Sequence, residues 1–262
     1  MTILLTGSKG FLGTRIAEEL NKREYDWVPL ISRLDKIDSK DLNGITTVIN
    51  CAALIPANDA EEGGYHSTNV IGTNHLFKQC ELYGIKKFIH ISSMGIARAT
   101  PYSESKLSSE VSLKKTELDW LILRPAHIYG PNSHTLETLE LLKRRNHRFI
   151  VGTGRNIIST IYVKDCATAI VNAAISDLKH KTFNITQPEI SEINYLKTLR
   201  KAIDGKFLII PVPKFIAKWK LGEKQLNDIT FDYRIEGIED WALTPASLED
   251  EMRNLYNIYI KK

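Results

Sequence analysis

Near its start the chain reads Ile3-Leu4-Leu5-Thr6-Gly7-Ser8-Lys9-Gly10-Phe11-Leu12-Gly13, an apolar run, a glycine at every third position, and a helix face marked by Leu12, Ile16 and Leu20. A strand that turns this tightly into a helix needs a permissive backbone at Gly7. It also needs no side chain at Gly10, where a ligand's backbone approach is closest, and none at Gly13, where helix and sheet pack together. The helix N-terminus then offers free N–H donors and the positive end of its dipole to phosphates. Gly7, Ser8, Lys9, Gly10, Phe11, Leu12 and Gly13 are therefore read as the pyrophosphate-binding turn of a dinucleotide site.

Further apolar runs follow at Trp27 to Ile31, Thr47 to Ala52, Lys87 to Ser92, Trp120 to Leu123 and Ile157 to Val163, separated by helical patterns such as Thr68 to Tyr83 and Tyr102 to Leu113. Strands apolar on both faces that alternate with helices predict a doubly wound α/β fold around a parallel sheet. The pattern loosens after Gly130-Pro131, so residues 1–130 are read as the dinucleotide core, with its sheet continued over about 156–187. Residues 131–155 and 188–262, including Trp219 and Trp241, are read as a small substrate-binding lobe.

Composition narrows the partners. The 262 residues carry a formal net charge of +4, and the one dense basic cluster, Lys143 to Arg148, follows the stripe Leu136, Leu139, Leu142, as a solvated helix end would. No nucleic acid is expected. No apolar run is long enough to span a bilayer and no secretion signal is evident, so neither a membrane partner nor export is expected. Three cysteines without a CxxC pair argue against a disulfide framework and for a reducing, cytoplasmic setting. The histidines lack metal-ligand spacing, so no metal is expected.

Two sites carry the chemistry. About 20 residues past the turn, an acid favours NAD, whereas Arg accommodates the 2′-phosphate of NADP. Here the run ends Ser32-Arg33-Leu34-Asp35, and NADP is preferred over NAD. The run Phe88 to Ile91 ends in Ser92-Ser93, at the strand edge where such sheets hold ligands, and Pro101-Tyr102-Ser103-Glu104-Ser105-Lys106 opens a helix that puts Tyr102 and Lys106 on one face. A phenol has a pKa of about 10, and bringing it near neutrality takes roughly 4 kcal/mol from adjacent positive charge, here Lys106 and an oxidised nicotinamide. The same spacing recurs at Tyr83 to Lys87, but Gly84 ends a helix there and Lys87 starts a strand, so that copy is structural.

Together Thr6-Gly7-x-x-Gly10-x-x-Gly13, Asn50-Cys51-Ala52-Ala53, Asn69-Val70-x-Gly72-Thr73, Ser92-Ser93, Tyr102-x-x-x-Lys106, Leu123-Arg124-Pro125 and Tyr129-Gly130-Pro131 resemble the extended short-chain dehydrogenase/reductase family, in its NAD(P)-dependent epimerase/dehydratase branch. The likeness spans about residues 1 to 190. It implies a Rossmann fold, hydride exchange between nicotinamide and a sugar carbon, a nucleotide-sugar substrate and a homodimer. By that pattern Ser93 hydrogen-bonds the reacting oxygen, Tyr102 is the acid/base, and Lys106 holds the nicotinamide ribose while lowering the tyrosine pKa. Cys51, Ala52, Ala53, Asn69 and Pro125 fall beside the cofactor, and Met94, His127 and Arg155 beside the substrate. The chain departs from the pattern in three places. Met94-Gly95 replace the acidic pair of the dehydratases, which disfavours water elimination. The segment from Ser93 to Tyr102 is short, and Ile158 stands where an Arg often meets the sugar-nucleotide diphosphate, leaving Arg155 as the substitute.

The leading expectation is an NAD(P)-dependent oxidoreductase or epimerase of a nucleotide-linked sugar. Two alternatives stay open: an NADPH-dependent reductase of a non-nucleotide ketone or aldehyde, suggested by Ile158, Phe215, Trp219 and Trp241, and a non-catalytic NADP-sensing protein.

Overall fold

The computed structural model describes residues 1–56, 63–231 and 238–260. In chain order its elements are β1 (Thr2–Thr6), α1 (Phe11–Lys22), β2 (Asp26–Pro29), α2 (Ser39–Leu42), β3 (Thr47–Asn50), α3 (Thr73–Leu82), β4 (Lys87–Ile91), α4 (Pro101–Leu113), β5 (Asp119–Pro125), β6 (His127–Tyr129), α5 (His134–Arg144), β7 (His147–Val151), β8 (Ile157–Ile158) and β9 (Thr160–Tyr162). There follow α6 (Val163–Ile175), β10 (Lys181–Ile185), β11 (Ile190–Ser191), α7 (Glu192–Ala202), β12 (Leu208–Val212), α8 (Lys214–Ile229), β13 (Glu239–Asp240) and α9 (Leu248–Tyr259). They form two compact units, Met1–Ala126 with Val163–Ile185 and Gly237–Ala242, and His127–Tyr162 with Thr186–Glu236 and Leu243–Lys262.

The first unit is the doubly wound α/β fold. Its seven-stranded sheet runs β13-β10-β5-β4-β3-β1-β2, and every neighbouring pair is parallel. The central strands are buried on both faces, as expected of Ile/Leu/Val runs covered on both sides by helices. Helix α1 buries Leu12, Ile16 and Leu20, one turn apart on a single face, and packs beside the alanine-rich α6. The edge strand β2 is mostly exposed.

Two expectations fail here. Ile157 to Val163 does not continue the central sheet: β8 pairs antiparallel with β11, β9 pairs parallel with β6, and Val163 starts α6. The edge that the run would have extended is taken by β10, whose Lys181 to Ile185 register against Leu121 to Pro125. Tail residues Glu239 and Asp240 also return to the first unit, outside β10, where Trp241 packs edge-on against Phe183 with ring centroids 5.0 Å apart. Trp241 is thus part of the sheet's outer edge and not of the tail unit.

The second unit is built from small two-stranded sheets and helices. Its interior is apolar, with Leu139 and Leu142 of α5, Leu196 and Leu199 of α7, and Met252 and Leu255 of α9 all buried. The basic cluster divides. Lys143 and Arg144 end α5 as cations at a helix C-terminus, whereas His147 and Arg148 begin β7, which pairs parallel with β12.

Candidate active site

The glycine turn is packed backbone against backbone. Gly7 has φ of +66°, and a Cβ on it would lie 2.8 Å from the Ala52 nitrogen; a Cβ on Gly13 would lie 2.0 Å from the Gly7 carbonyl oxygen. The Gly10 N–H donates to that same carbonyl at 2.9 Å. A Cβ on the exposed Gly10 would press on that oxygen at 3.2 Å, a milder crowding than at Gly7 or Gly13, and its other side is open toward a ligand. Among the described residues no side chain caps α1, and its first internal bond is Thr14 N–H to Gly10 carbonyl, which leaves the N–H groups of the first turn available. The donor set and the shape suit the phosphates of a dinucleotide.

The turn is braced from β3. Thr6 Oγ1 donates to Asn50 Oδ1 at 2.7 Å and accepts from the Ala52 N–H at 2.9 Å, while Asn50 Nδ2 lies 3.4 Å from His90 Nδ1. Burial keeps His90 neutral, its pKa far below the usual imidazole value. Burial likewise pushes the Cys51 thiol up to about 12, so it is no nucleophile. Asn69, in a π-helical turn at His66–Gly72, clamps the segment after Ala53: it accepts from the Leu54 N–H at 2.8 Å and donates to the Leu54 carbonyl and to Ser105 Oγ, each at 3.0 Å. Pro125 is buried at the end of β5.

At the end of β2, Ser32 Oγ donates to Asp41 Oδ2 at 2.8 Å, and Arg33 Nε donates to Asp35 Oδ1 at 3.1 Å. Arg33 holds the Asp35 carboxyl below its usual range. Both donors expected to meet a 2′-phosphate are therefore engaged by carboxylates.

Helix α4 carries the reacting groups. Thr100 caps it, accepting from the Ser103 N–H at 3.2 Å, and Pro101 occupies the first turn. Its polar side faces inward, burying Ser103, Ser105, Lys106, Ser109 and Glu110, while Leu107 and Val111 face solvent. The Tyr102 phenol faces the Ser93 hydroxyl, which accepts the Gly95 N–H at 2.9 Å, and the Tyr102 ring lies edge-on to Tyr65 with ring centroids 5.9 Å apart. Lys106 Nζ donates to the Ile91 carbonyl at 2.6 Å, and burial lowers its pKa to about 8. Sequence reasoning expected this ammonium to draw the tyrosine pKa down. In the structure burial raises the phenol, the Ser93 hydroxyl offsets only part of that, and Lys106 is tied to the end of β4.

The structure brings together Gly7, Cys51, Ala52, Ser93, Tyr102 and Lys106, all at or beside the carboxyl ends of β1, β3 and β4. Met94 is buried in the turn after Ser93. His127 and Arg155 belong to the second unit, both exposed. Ile158 is half-buried in β8.

Sequence reasoning missed one cluster. Arg124 forks onto Glu110, with Nε to Oε1 at 3.0 Å and Nη2 to Oε2 at 2.6 Å, and Ser92 Oγ donates to the same carboxylate; all three residues are buried. The signal was present: Glu110 lies four residues beyond Lys106, on the helix face that packs inward, and Arg124 directly follows the apolar run Trp120 to Leu123.

Comparison with known proteins agrees with this geometry. A human sterol-4-alpha-carboxylate 3-dehydrogenase, decarboxylating, is 27% identical over 231 residues, 70% of this chain and 61% of that protein. A 2-alkyl-3-oxoalkanoate reductase of Stenotrophomonas maltophilia is 26% identical over 211 residues, 64% of each. The chain thus spans less than two thirds of the length of these relatives. Among solved structures, a UDP-glucose 4-epimerase of Thermotoga maritima with UDP-glucose superposes with a TM-score of 0.76 at 20% identity over 98% of both chains. A UDP-glucuronic acid 4-epimerase of Bacillus cereus with NAD gives 0.72 at 19% identity, again over 98% of both. The family profile matches residues 3–186, and on that match this chain belongs to the NAD-dependent epimerase/dehydratase family.

Proposed function

We propose that this protein exchanges hydride between a nicotinamide dinucleotide and a carbon of a sugar, carried on a nucleotide in the leading reading. One observation carries it: Ser93, Tyr102 and Lys106 stand at the same sheet edge as the uncapped N-terminus of α1. In this reading the turn from Gly7 to Gly13 holds the pyrophosphate, and the hydroxyls of Ser93 and Tyr102 bind the oxygen on the reacting carbon. When that carbon is oxidised it gives up a hydride and its hydroxyl proton passes to Tyr102; when a carbonyl is reduced, Tyr102 returns the proton. The bound coenzyme supplies the hydride acceptor or donor. Burial keeps the phenol protonated, which suits proton donation to a carbonyl; the reverse direction calls for the added positive charge of the oxidised ring and of Lys106.

The finer assignments rest on particular residues. NADP is favoured by Arg33, whose side chain is 75% exposed, and NAD by the carboxylates of Asp35 and Asp41 beside it. A homodimer through α4 is supported by the exposed Leu107 and Val111, and a reducing, cytoplasmic setting by the three unpaired thiols. A second reading, reduction of a ketone or aldehyde without a nucleotide, is favoured by Ile158 where a diphosphate-binding Arg is usual, and by the relative named as an oxoalkanoate reductase.

Binding of NADH and NADPH to the purified chain tests the core of the proposal, and failure to bind either ends it. A bound ligand raises the melting point by mass action, so UDP, GDP or dTDP should shift it in the leading reading and leave it unchanged in the second. With substrate in hand, Tyr102→Phe should lower turnover about 10²- to 10⁴-fold while coenzyme binding persists; full turnover in that variant would remove Tyr102 from the chemistry.

A further inference from the structure

Within the second unit, α8 is interrupted at Gly222, where φ is 78° and ψ is 166°, so its first part covers 214–221. Of this stretch only Ala217 is buried, while Phe215 is 73% and Trp219 is 87% exposed, with Ile216 and Leu221 exposed as well. At about 100° per residue, Phe215 and Trp219 lie about 40° apart, and Ile216 widens their stripe. Lys214 and Lys218 border that stripe on one side and Lys220 on the other, with Ala217 and Leu221 on the side away from it. The first acidic residue, Glu223, lies beyond the break and reaches Lys218 at 3.3 Å.

A helix shorter than about 12 residues does not hold itself in water, and one buried alanine adds little. Exposed aromatic side chains on such a helix mark an interaction surface. Its occupant has to take up aromatic rings and also place negative charge along both borders of the stripe. The boundary between headgroups and acyl chains of an anionic bilayer does both: rings sit at that depth, and lysine stems reach back to the phosphates. A protein groove would accept the stripe but supplies no reason for lysines on either side of it.

We propose that the first half of α8 is an interfacial anchor that docks this protein reversibly on anionic phospholipid surfaces. The expectation of no membrane partner rested on the lack of a spanning run. Among the described residues no helix is long and apolar enough to cross a bilayer, and a helix lying in the interface does not need to be.

The test is co-sedimentation of the full chain with vesicles of phosphatidylcholine alone and of phosphatidylcholine mixed with phosphatidylglycerol, at low and high salt. Binding to the mixed vesicles, release by salt and little binding to the neutral ones are expected. Replacing Lys214, Lys218 and Lys220 together by Gln should weaken binding by roughly a hundredfold, at about fivefold per lysine. Phe215→Ser with Trp219→Ser should abolish it at an unchanged melting point, since both side chains are exposed. No binding to either vesicle, equal binding to both, or wild-type binding by the two variants overturns the proposal. So does a homodimer that the Ser variant dissociates in the absence of vesicle binding, which would assign the stripe to a second copy of the chain.

Discussion

The first unit buries Lys106 and the Arg124–Glu110 pair behind α4, whereas the second keeps ion pairs such as Lys201–Glu249 near the surface and fills its interior with leucine and methionine. Burying charge costs several kcal/mol per ion unless geometry and hydrogen bonds recover it, so a chain that stability alone had shaped would place apolar side chains there. The contrast teaches that α4 is built to fix positions. Glu110 draws together the ends of β4 and β5 through Ser92 and Arg124, and the same helix face presents Tyr102 and Lys106. The sharpest way to break this comparison is Glu110→Gln, which strands the Arg124 charge and should cost about 3–5 kcal/mol in urea unfolding. Glu249→Gln in the second unit should leave the midpoint within measurement scatter, because its partners are exposed. Similar midpoints for the two variants would mean that the buried pair contributes no more than a surface one.

The next largest effect lies at the glycine turn. Gly13→Ala puts a methyl group 2.0 Å from the Gly7 carbonyl oxygen, a clash of backbone with Cβ that no rotamer relieves. It should cost at least about 3 kcal/mol and remove dinucleotide binding with it. A variant that melts and binds like the wild type would show that the turn can open, and the fit of helix to strand would not then define the site.

This turn was legible because local chemistry dictates it: glycine at 7, 10 and 13 between an apolar run and a helix face allows few other structures. The central strands were legible for a similar reason, since they are buried on both faces and need no knowledge of their neighbours. What stayed hidden depends on pairing. Nothing local distinguishes Ile157 to Val163 from a central strand until β10 is seen to hold the edge of β5, and Glu239-Asp240 carries no strand signal of its own. Lys106 was found by its spacing from Tyr102, but its hydrogen bond to Ile91 follows from the height at which α4 crosses β4, which spacing does not encode. The second unit was read as a substrate-binding lobe without internal architecture, because its strands are short and its helices bury their leucines against one another.

Lys106 also gives the first unit a pH signature opposite in sign to that of the second. There burial pushes the Tyr195 phenol up to about 12, and stability falls as pH rises toward that value. The folded Lys106 pKa of about 8 lies below the usual 10.5, so between those values the unfolded chain binds the extra proton and stability rises with pH. The penalty for burying the charge is fully present below about pH 8 and gone above 10.5. In Lys106→Met it is absent throughout, so the stability of wild type relative to this variant should improve by about 3 kcal/mol across that window. Cysteines and tyrosines away from Lys106 titrate there too, but in both proteins, and they cancel. Cys51, which Lys106 holds down, has its thiol pushed up to about 12 by burial, above this window, and losing the ammonium raises it further. A difference that stays flat from pH 7.5 to 10.5 would mean that the ammonium is solvated and the bond to Ile91 is not maintained.

The smallest effect sharpens the comparison from the other side. Gly222 has a backbone conformation open almost only to glycine, yet a Cβ there would meet nothing within 4 Å. Alanine at Gly13 has nowhere to go; at Gly222 it can relax by moving the local backbone into helical space and joining the two halves of α8. The gain in helix propensity, about 1 kcal/mol, then offsets the strain. Gly222→Ala should therefore shift the unfolding midpoint by no more than about 1 kcal/mol and slightly raise the helical circular dichroism signal. A loss as large as that of Gly13→Ala, with no gain in helix signal, would show that the break in α8 is fixed by its surroundings as firmly as the turn after β1.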